Sequence, residues 1–291
     1  MSTSRTGARS SRPRPSTTLL VVLVLMTAYT LVPLAYLVVN SSKTSGDFFS
    51  TFGLSFGSSF ELFANIGHVF SYDQGIYGRW FANTLLYVVA GGGGSAIISL
   101  LAGYGIAKYA FRGRTALFAV ILGAVAIPGT ALAIPTFLLF SKVGLTTTPL
   151  SVIVPSLVNP FGLYLMWVYS RDAVPTELLE AARIDGSSEL RTFAQVSLRL
   201  LAPGFVTVVL LSIVATWNNY FLPLIMLSDP KWYPLTVGLS QWNAQSTGTN
   251  AQPIQNLVLT GSLLMIIPIV AAFLFLQRYW QSGLAAGSVK Q

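Results

Sequence analysis

Six stretches of this chain run for about twenty residues or more without a single charged side chain: 17–39, 80–107, 116–140, 149–169, 204–227 and 257–276. A helix needs roughly 20 apolar residues to cross the ~30 Å hydrocarbon layer of a bilayer, so each stretch is long enough to span one. Hydrocarbon leaves no water for unpaired backbone groups, which limits a spanning segment to helix or closed barrel, and runs this long and continuous read as helix. The remaining composition fits: 53% of the 291 residues are hydrophobic and 9% charged, with a mean hydropathy of +0.65, too apolar for a soluble domain. The fold class is an all-α membrane protein with six transmembrane helices.

The first stretch has a basic flank, as a signal peptide does, but it is longer than a signal core and lacks a small-x-small cleavage site, so it reads as an uncleaved first span. Residues 1–16 are mostly Ser, Arg, Thr and Pro, with almost no apolar content, a composition that cannot build a core, and read as a disordered tail. Residues 17–79 then hold the first span and a polar loop with Asp47, Glu61 and Asp73; residues 80–276 form the core, and 277–291 a tail. With the amino terminus inside the cell, thirteen of the lysines and arginines fall on inner segments and four (Lys43, Arg79, Lys142, Lys231) on outer ones. Positive charge marks the cytoplasmic side, so this bias places both termini and the loop 171–203 in the cytoplasm, with the chain multi-pass in the membrane.

Much chemistry is excluded. No cysteine and one histidine, His68, rule out disulfides, thiolate metal sites and multi-histidine sites. None of the six spans contains Asp, Glu, Lys, Arg or His, which argues against proton relays. No Gly-x-x-x-x-Gly-Lys-Ser/Thr loop is present to hold a nucleotide. Gly103, Gly105 and Lys108 follow no strand and mark the end of the second span. The excess of 8 positive charges is spread between spans, not gathered into a nucleic-acid-binding stripe. His68 near Asp73 is a loop histidine without a catalytic arrangement, so no catalytic residue is assigned. The spans also carry interruptions, Gly91–Gly94, Pro128, Pro135, Pro155, Pro160, Pro223 and Pro268, which a plain anchor does not need.

The most charged patch lies in the loop 171–203. Pro175 suits the first position of a helix, and Glu177 follows where a carboxylate favours the positive end of the helix dipole. Glu180-Ala181-Ala182 continue it with two very small side chains. Asp185-Gly186 stop it, glycine accepting the left-handed closing turn. Ser187 or Ser188 can cap a second helix on which Leu190, Phe193, Ala194 and Ser197 repeat at helical spacing. The expected product is helix, tight turn, helix.

This pattern resembles the EAA loop of ATP-binding-cassette importer permeases, with Glu180, Ala181, Ala182, Asp185 and Gly186 at that motif's positions, and Val196 and Leu198 at its later apolar ones. Arg199 stands where that family usually has proline. Asn83-Thr84, the turn at 108–114 and Trp217-Asn218 followed by Leu222-Pro223-Leu224 look like the carbohydrate branch. The end, Gln277-Arg278-Tyr279 and Gly283 to Lys290, is similar to the tail of the maltose-type second permease. The resemblance implies a type I importer permease fold, paired with a homologous permease, two ATP-binding subunits and an extracytoplasmic sugar-binding protein. It implies that ATP and Mg2+ bind to those partner subunits, with no cofactor on this chain. It also implies that Glu180, Ala181, Ala182, Asp185, Gly186 and Phe193 couple to the ATPases, and that Gly287, Ser288, Val289 and Lys290 reach between them.

Two further groups stay open between readings. Trp217-Asn218-Asn219-Tyr220 fall near the middle of the fifth span, away from the interfaces that belt aromatics prefer. They suit either the C–H faces and hydroxyls of a sugar or polar bonding between helices. The segment 228–256 reads as a solvated outer loop with Trp232, Tyr233 and Trp242 exposed, either to receive a partner protein or to anchor at the interface. A stand-alone secondary carrier would share the broken spans. A membrane enzyme would need clustered acids or histidines, which the chain lacks.

Overall fold

The computed structural model describes residues 16–247 and 251–287, with side chains as far as Gln277. Every regular element among them is helical. Among the described residues, five helical runs are long and apolar enough to cross a membrane: Thr17–Ser41, Leu62–Lys108, Leu150–Ala173, Glu189–Trp217 and Gln255–Gln277. A sixth span is made by Arg114–Val125 and Gly129–Lys142 together, bent by 106° at the break between them. The count of six follows from apolar run length, and the bend sits at Pro128, where the missing N–H and fixed φ disfavour a continuing helix.

In chain order, α1 is Thr17–Ser41, and the loop after it contains α2, Ser45–Ser50, and α3, Leu62–Ser71. A tight turn through Asp73, Gln74 and Gly75, all at positive φ, leads to α4, Ile76–Leu86. The second span therefore starts before Trp80. It continues through a wide π-helical segment, Tyr87–Gly93, into α5, Gly94–Lys108. The bent third span is α6, Arg114–Val125, and α7, Gly129–Lys142. The fourth is α8, Leu150–Ser156, and α9, Pro160–Ala173. Helices α10, Thr176–Ile184, and α11, Glu189–Thr192, form the charged loop. From α11 the chain passes through a second π segment into α12, Leu198–Trp217, without leaving the helix. Helices α13, Phe221–Met226, and α14, Leu235–Thr247, precede the last span, α15, Gln255–Gly287.

Helices α5, α9 and α12 pack against one another at the centre, α15 lies on α12, and α1 lies on α15. Only the last turn of α1 is buried. Two cores hold the molecule together. Near the charged loop, Ala96, Leu100, Tyr104, Met166, Val174, Leu179, Leu201 and Val208 cluster. At the opposite end, Tyr77, Trp80, Tyr87, Trp217, Tyr233 and Trp242 do so.

The segment 228–247 departs from expectation. Trp242 is 2% exposed and Tyr233 6%, so neither is a loop tip in solvent. Helix α4 and Tyr87, the residue after it, explain this. Along one helical face Trp80 Nε1 donates to the Pro230 carbonyl (2.9 Å), and Asn83 Nδ2 to those of Lys231 (2.8 Å) and Tyr233 (3.0 Å). Thr84 Oγ1 accepts from the Leu235 N–H (2.9 Å), and the Tyr87 hydroxyl donates to the Trp232 carbonyl (2.7 Å). Five bonds at helical spacing satisfy an otherwise irregular backbone, and Trp242 is thereby packed against Tyr77 and Trp80.

Proline does not break this chain wherever it occurs. Pro33, Pro135, Pro155, Pro203 and Pro268 all lie inside helices, and Gly91–Gly93 sit in the continuous π segment. In the fifth span the helix stops at Trp217, so the interruption falls at Asn218–Tyr220 and not at Pro223, which lies within α13.

Candidate coupling loop and membrane cavity

The charged loop folds as helix, turn, helix. Pro175 is the capping residue before α10, one position earlier than its sequence reading, and Glu177 lies in the first turn. Gly186 takes φ +77°, the left-handed conformation that glycine adopts at little cost. The Gly186 and Ser187 N–H groups return to the Arg183 and Ala182 carbonyls (3.0 and 2.9 Å), closing α10. Of the two candidate caps, Ser188 is the one used, its Oγ accepting from the Arg191 N–H.

One face of this unit is turned inward. Leu179 and Val174 enter the adjacent core. Phe193, half buried, packs on Tyr104 with ring centres 4.9 Å apart, and Ser197 Oγ donates to the Tyr104 hydroxyl (3.1 Å). Lys108 Nζ donates to the carbonyls of Val174 and Arg171. Glu189 receives Arg183 through Nε (2.7 Å) and Nη2 (3.4 Å), and the Tyr109 hydroxyl (2.8 Å). Burial, and then the bond to Glu189, push the Tyr109 phenol up to about 12, so it keeps its proton at neutral pH.

The other face is free. Glu180, Ala181, Asp185 and Gly186 are exposed and Ala182 is half buried. Beside them stand two large apolar side chains in the open, Ile184 at 86% and Leu190 at 82%. Of the six sequence-assigned residues, five thus belong to the free face, while Phe193 points into the core and fixes the loop's seating. Ile184 was not distinguished by sequence, because its burial depends on the turn angle.

A second feature lies in the spans. A cavity of about 840 Å3 is lined by residues from all three helix interruptions: Ile127 beside Pro128, Val158 and Asn159 between α8 and α9, and Asn219 between α12 and α13. Its size falls in the ~300–1,000 Å3 range of small-molecule sites. Irregular backbone at membrane depth is tolerated where it borders such a space. The walls are apolar except for Thr130, Thr136, Ser156, Asn159 and Asn219, and none of the lining residues is charged. Asn159 is built in firmly: its Oδ1 accepts from the Gly162 N–H (2.8 Å) as the cap of α9, and its Nδ2 donates to Ser212 Oγ of α12 (3.1 Å).

The aromatic and amide group of the fifth span does not converge on this cavity. Trp217 is buried edge-on against Phe81. Asn218 Nδ2 bonds back to the Val214 carbonyl, and the Tyr220 hydroxyl pairs with Ser240. Only Asn219 reaches the cavity wall, while its carbonyl accepts from Thr236 Oγ1 (2.8 Å). In the tail, Gly287 is the last helical residue, and Ser288, Val289 and Lys290 lie outside the described residues.

Residues 95–285 match the family model for "Binding-protein-dependent transport system inner membrane component". Among curated relatives, the arabinooligosaccharides transport system permease protein AraQ of Halalkalibacterium halodurans is 32% identical over 262 residues, covering 89% of this chain and 90% of the relative. The lactose transport system permease protein LacG of Rhizobium radiobacter is 28% identical over 269 residues, covering 92% and 94%. In fold, the chain is similar to a crystal structure of a bacterial ABC transporter involved in the import of the acidic polysaccharide alginate. The TM-score is 0.78 at 23% identity, covering 92% of this chain and all of the other.

Proposed function

The chain belongs to the family of binding-protein-dependent transport system inner membrane components, and from that membership we propose that it is the permease subunit of an ATP-driven sugar importer. It is a transport subunit, not an enzyme. In this reading a homologous permease pairs with it, two ATP-binding subunits dock on the Glu180 loop from the cytoplasm and carry ATP and Mg2+, and a sugar-binding protein delivers solute from outside.

The observation that carries the proposal is the loop's geometry: an exposed Glu180-Ala181 face with Ile184 and Leu190 beside it, seated on the span core by Leu179 and Phe193. A chain with no phosphate loop of its own takes work from a partner through such a surface. Closure of the ATPases pushes α10. The push passes to the continuous helix Glu189–Trp217, about 43 Å long at 1.5 Å per residue. That helix ends two residues before Asn219 in the cavity wall. The cavity forms this subunit's share of the solute path, its amides and hydroxyls bonding sugar hydroxyls and its uncharged walls admitting a neutral solute. Sugars as the solute class are supported by the names of the relatives.

The test is purification of the tagged chain with its co-purifying subunits, followed by reconstitution in liposomes with labelled oligosaccharides and their binding protein. Uptake that requires ATP on the loop side is expected. Transport by the isolated chain under an ion gradient would instead make it a secondary carrier.

A further inference from the structure

Glu189 is the one side chain in the charged loop bonded to two other elements at once. Its carboxylate takes both Arg183 nitrogens from the last turn of α10 and the Tyr109 hydroxyl from the residue that follows α5, while itself opening α11. We infer that Glu189 is the joint of the coupling loop, locking the helix that receives the push to the helix that carries it inward and to the central span. This inference rests on the loop being the coupling surface.

Without this joint, little holds α10 at a fixed angle to α11. The backbone between them is the turn 185–188, with Gly186 at φ +77°. Its N–H bonds return only to α10, and the Ser188 cap serves only α11. A glycine turn bonded on each side to its own helix is a swivel. The π segment that continues α11 has a second anchor on α5, through Phe193 and Ser197 against Tyr104. Helix α10 has Leu179 at its middle, about which it can rock. Arg183, one turn further on, is where rocking is stopped. The stop is directional, because a guanidinium met by two oxygens accepts one plane, and the Tyr109 hydroxyl fixes the carboxylate from a third side.

The same pair is a poor stabiliser. The Arg183 and Glu189 side chains are 45% and 49% exposed, and ion pairs in that environment contribute little to folding. Their value is in geometry. The free face itself, Glu180, Ala181, Ile184 and Leu190, includes neither residue of the pair, so loss of the joint leaves the docking surface present but loosely held.

The reconstituted complex gives the test, read as solute molecules imported per ATP hydrolysed. Glu189→Ala is expected to assemble with its ATPases and hydrolyse ATP at the normal basal rate, yet to lower this ratio about fivefold, the low end of typical coupling between sites. Tyr109→Phe, which removes only a hydroxyl, lowers it less. The reversed pair Arg183→Glu with Glu189→Arg keeps an ion pair, leaves Tyr109 Oη as an acceptor, and restores the ratio towards wild type. An unchanged ratio in Glu189→Ala overturns the inference. So does failure to assemble, which would make Glu189 a docking residue, and so does a reversed pair no better than the single variant. If Gly186→Val, which deforms the turn itself, imports solute normally, the coupling reading falls and not merely the joint.

Discussion

Replacing Gly186 by valine is expected to lower solute uptake about tenfold, the size of effect that a strain of ~1.4 kcal/mol produces, while the chain still inserts in the membrane. The cause is conformational. Nothing lies within 4 Å of where a Cβ would stand, so no clash is involved. The backbone there has φ +77°, which costs an L-residue roughly 1–2 kcal/mol, and more if it is β-branched. Relief comes by opening the turn, which swings α10 and displaces Glu180, Ala181 and Ile184 together. Because the cause is φ and not volume, the series should run in an unusual order. Gly186→Asn, a residue that tolerates the left-handed region, keeps most uptake; Gly186→Ala loses part; Gly186→Val loses most. Uptake by the reconstituted complex, alongside the amount of ATPase retained on purification, checks that order. A series ranked by side-chain size would mean that the pocket of the partner, and not the turn, sets the effect.

The second large effect is expected at Asn159. Asn159→Leu keeps the branched shape and heavy-atom count of the side chain but removes the cap of α9 and leaves the buried Ser212 hydroxyl without its donor. A lost cap costs about 1 kcal/mol and an unsatisfied buried hydroxyl about 1–3 kcal/mol. Together they lower stability by ~2–4 kcal/mol and close a polar point of the cavity wall. Thermal unfolding in detergent reads the first effect, and loss of uptake with ATPase assembly retained reads the second. Asn159→Ser preserves a capping oxygen and loses less of both.

Most of what locates Gly186 is written locally in the chain. Uncharged run length gave six spans, and the spacing of Glu177, Gly186 and Ser188 gave the start, stop and restart of the loop, each a short-range effect of dipole, φ or cap. What was not legible depends on distant partners. Tyr233 and Trp242 look like loop aromatics because their burial comes from α4 and the residue after it, some 150 residues earlier, through Trp80, Asn83, Thr84 and Tyr87. Proline proved a weak guide to where spans break. Pro203 and Pro268 sit in unbroken helices, whereas the break after Trp217 contains no proline. Asn159 escaped notice since a single asparagine before Pro160 is common turn chemistry, and only the arrival of α12 and the cavity beside it gives it a role. Phe193 shared the helical spacing of the loop but not its outward face, because Tyr104 from another span occupies that side.

ATP-driven import through this chain requires the Glu180 loop to face the cytoplasm and meet an ATPase there. The chain contains no cysteine, so Glu180→Cys introduces a unique thiol on an exposed face. Labelling it with a membrane-impermeant maleimide is the direct measurement. The account predicts reaction in inside-out vesicles, none in intact cells, and protection when the ATP-binding subunits are bound; reaction from the cell exterior, or no protection by the assembled subunits, would contradict it.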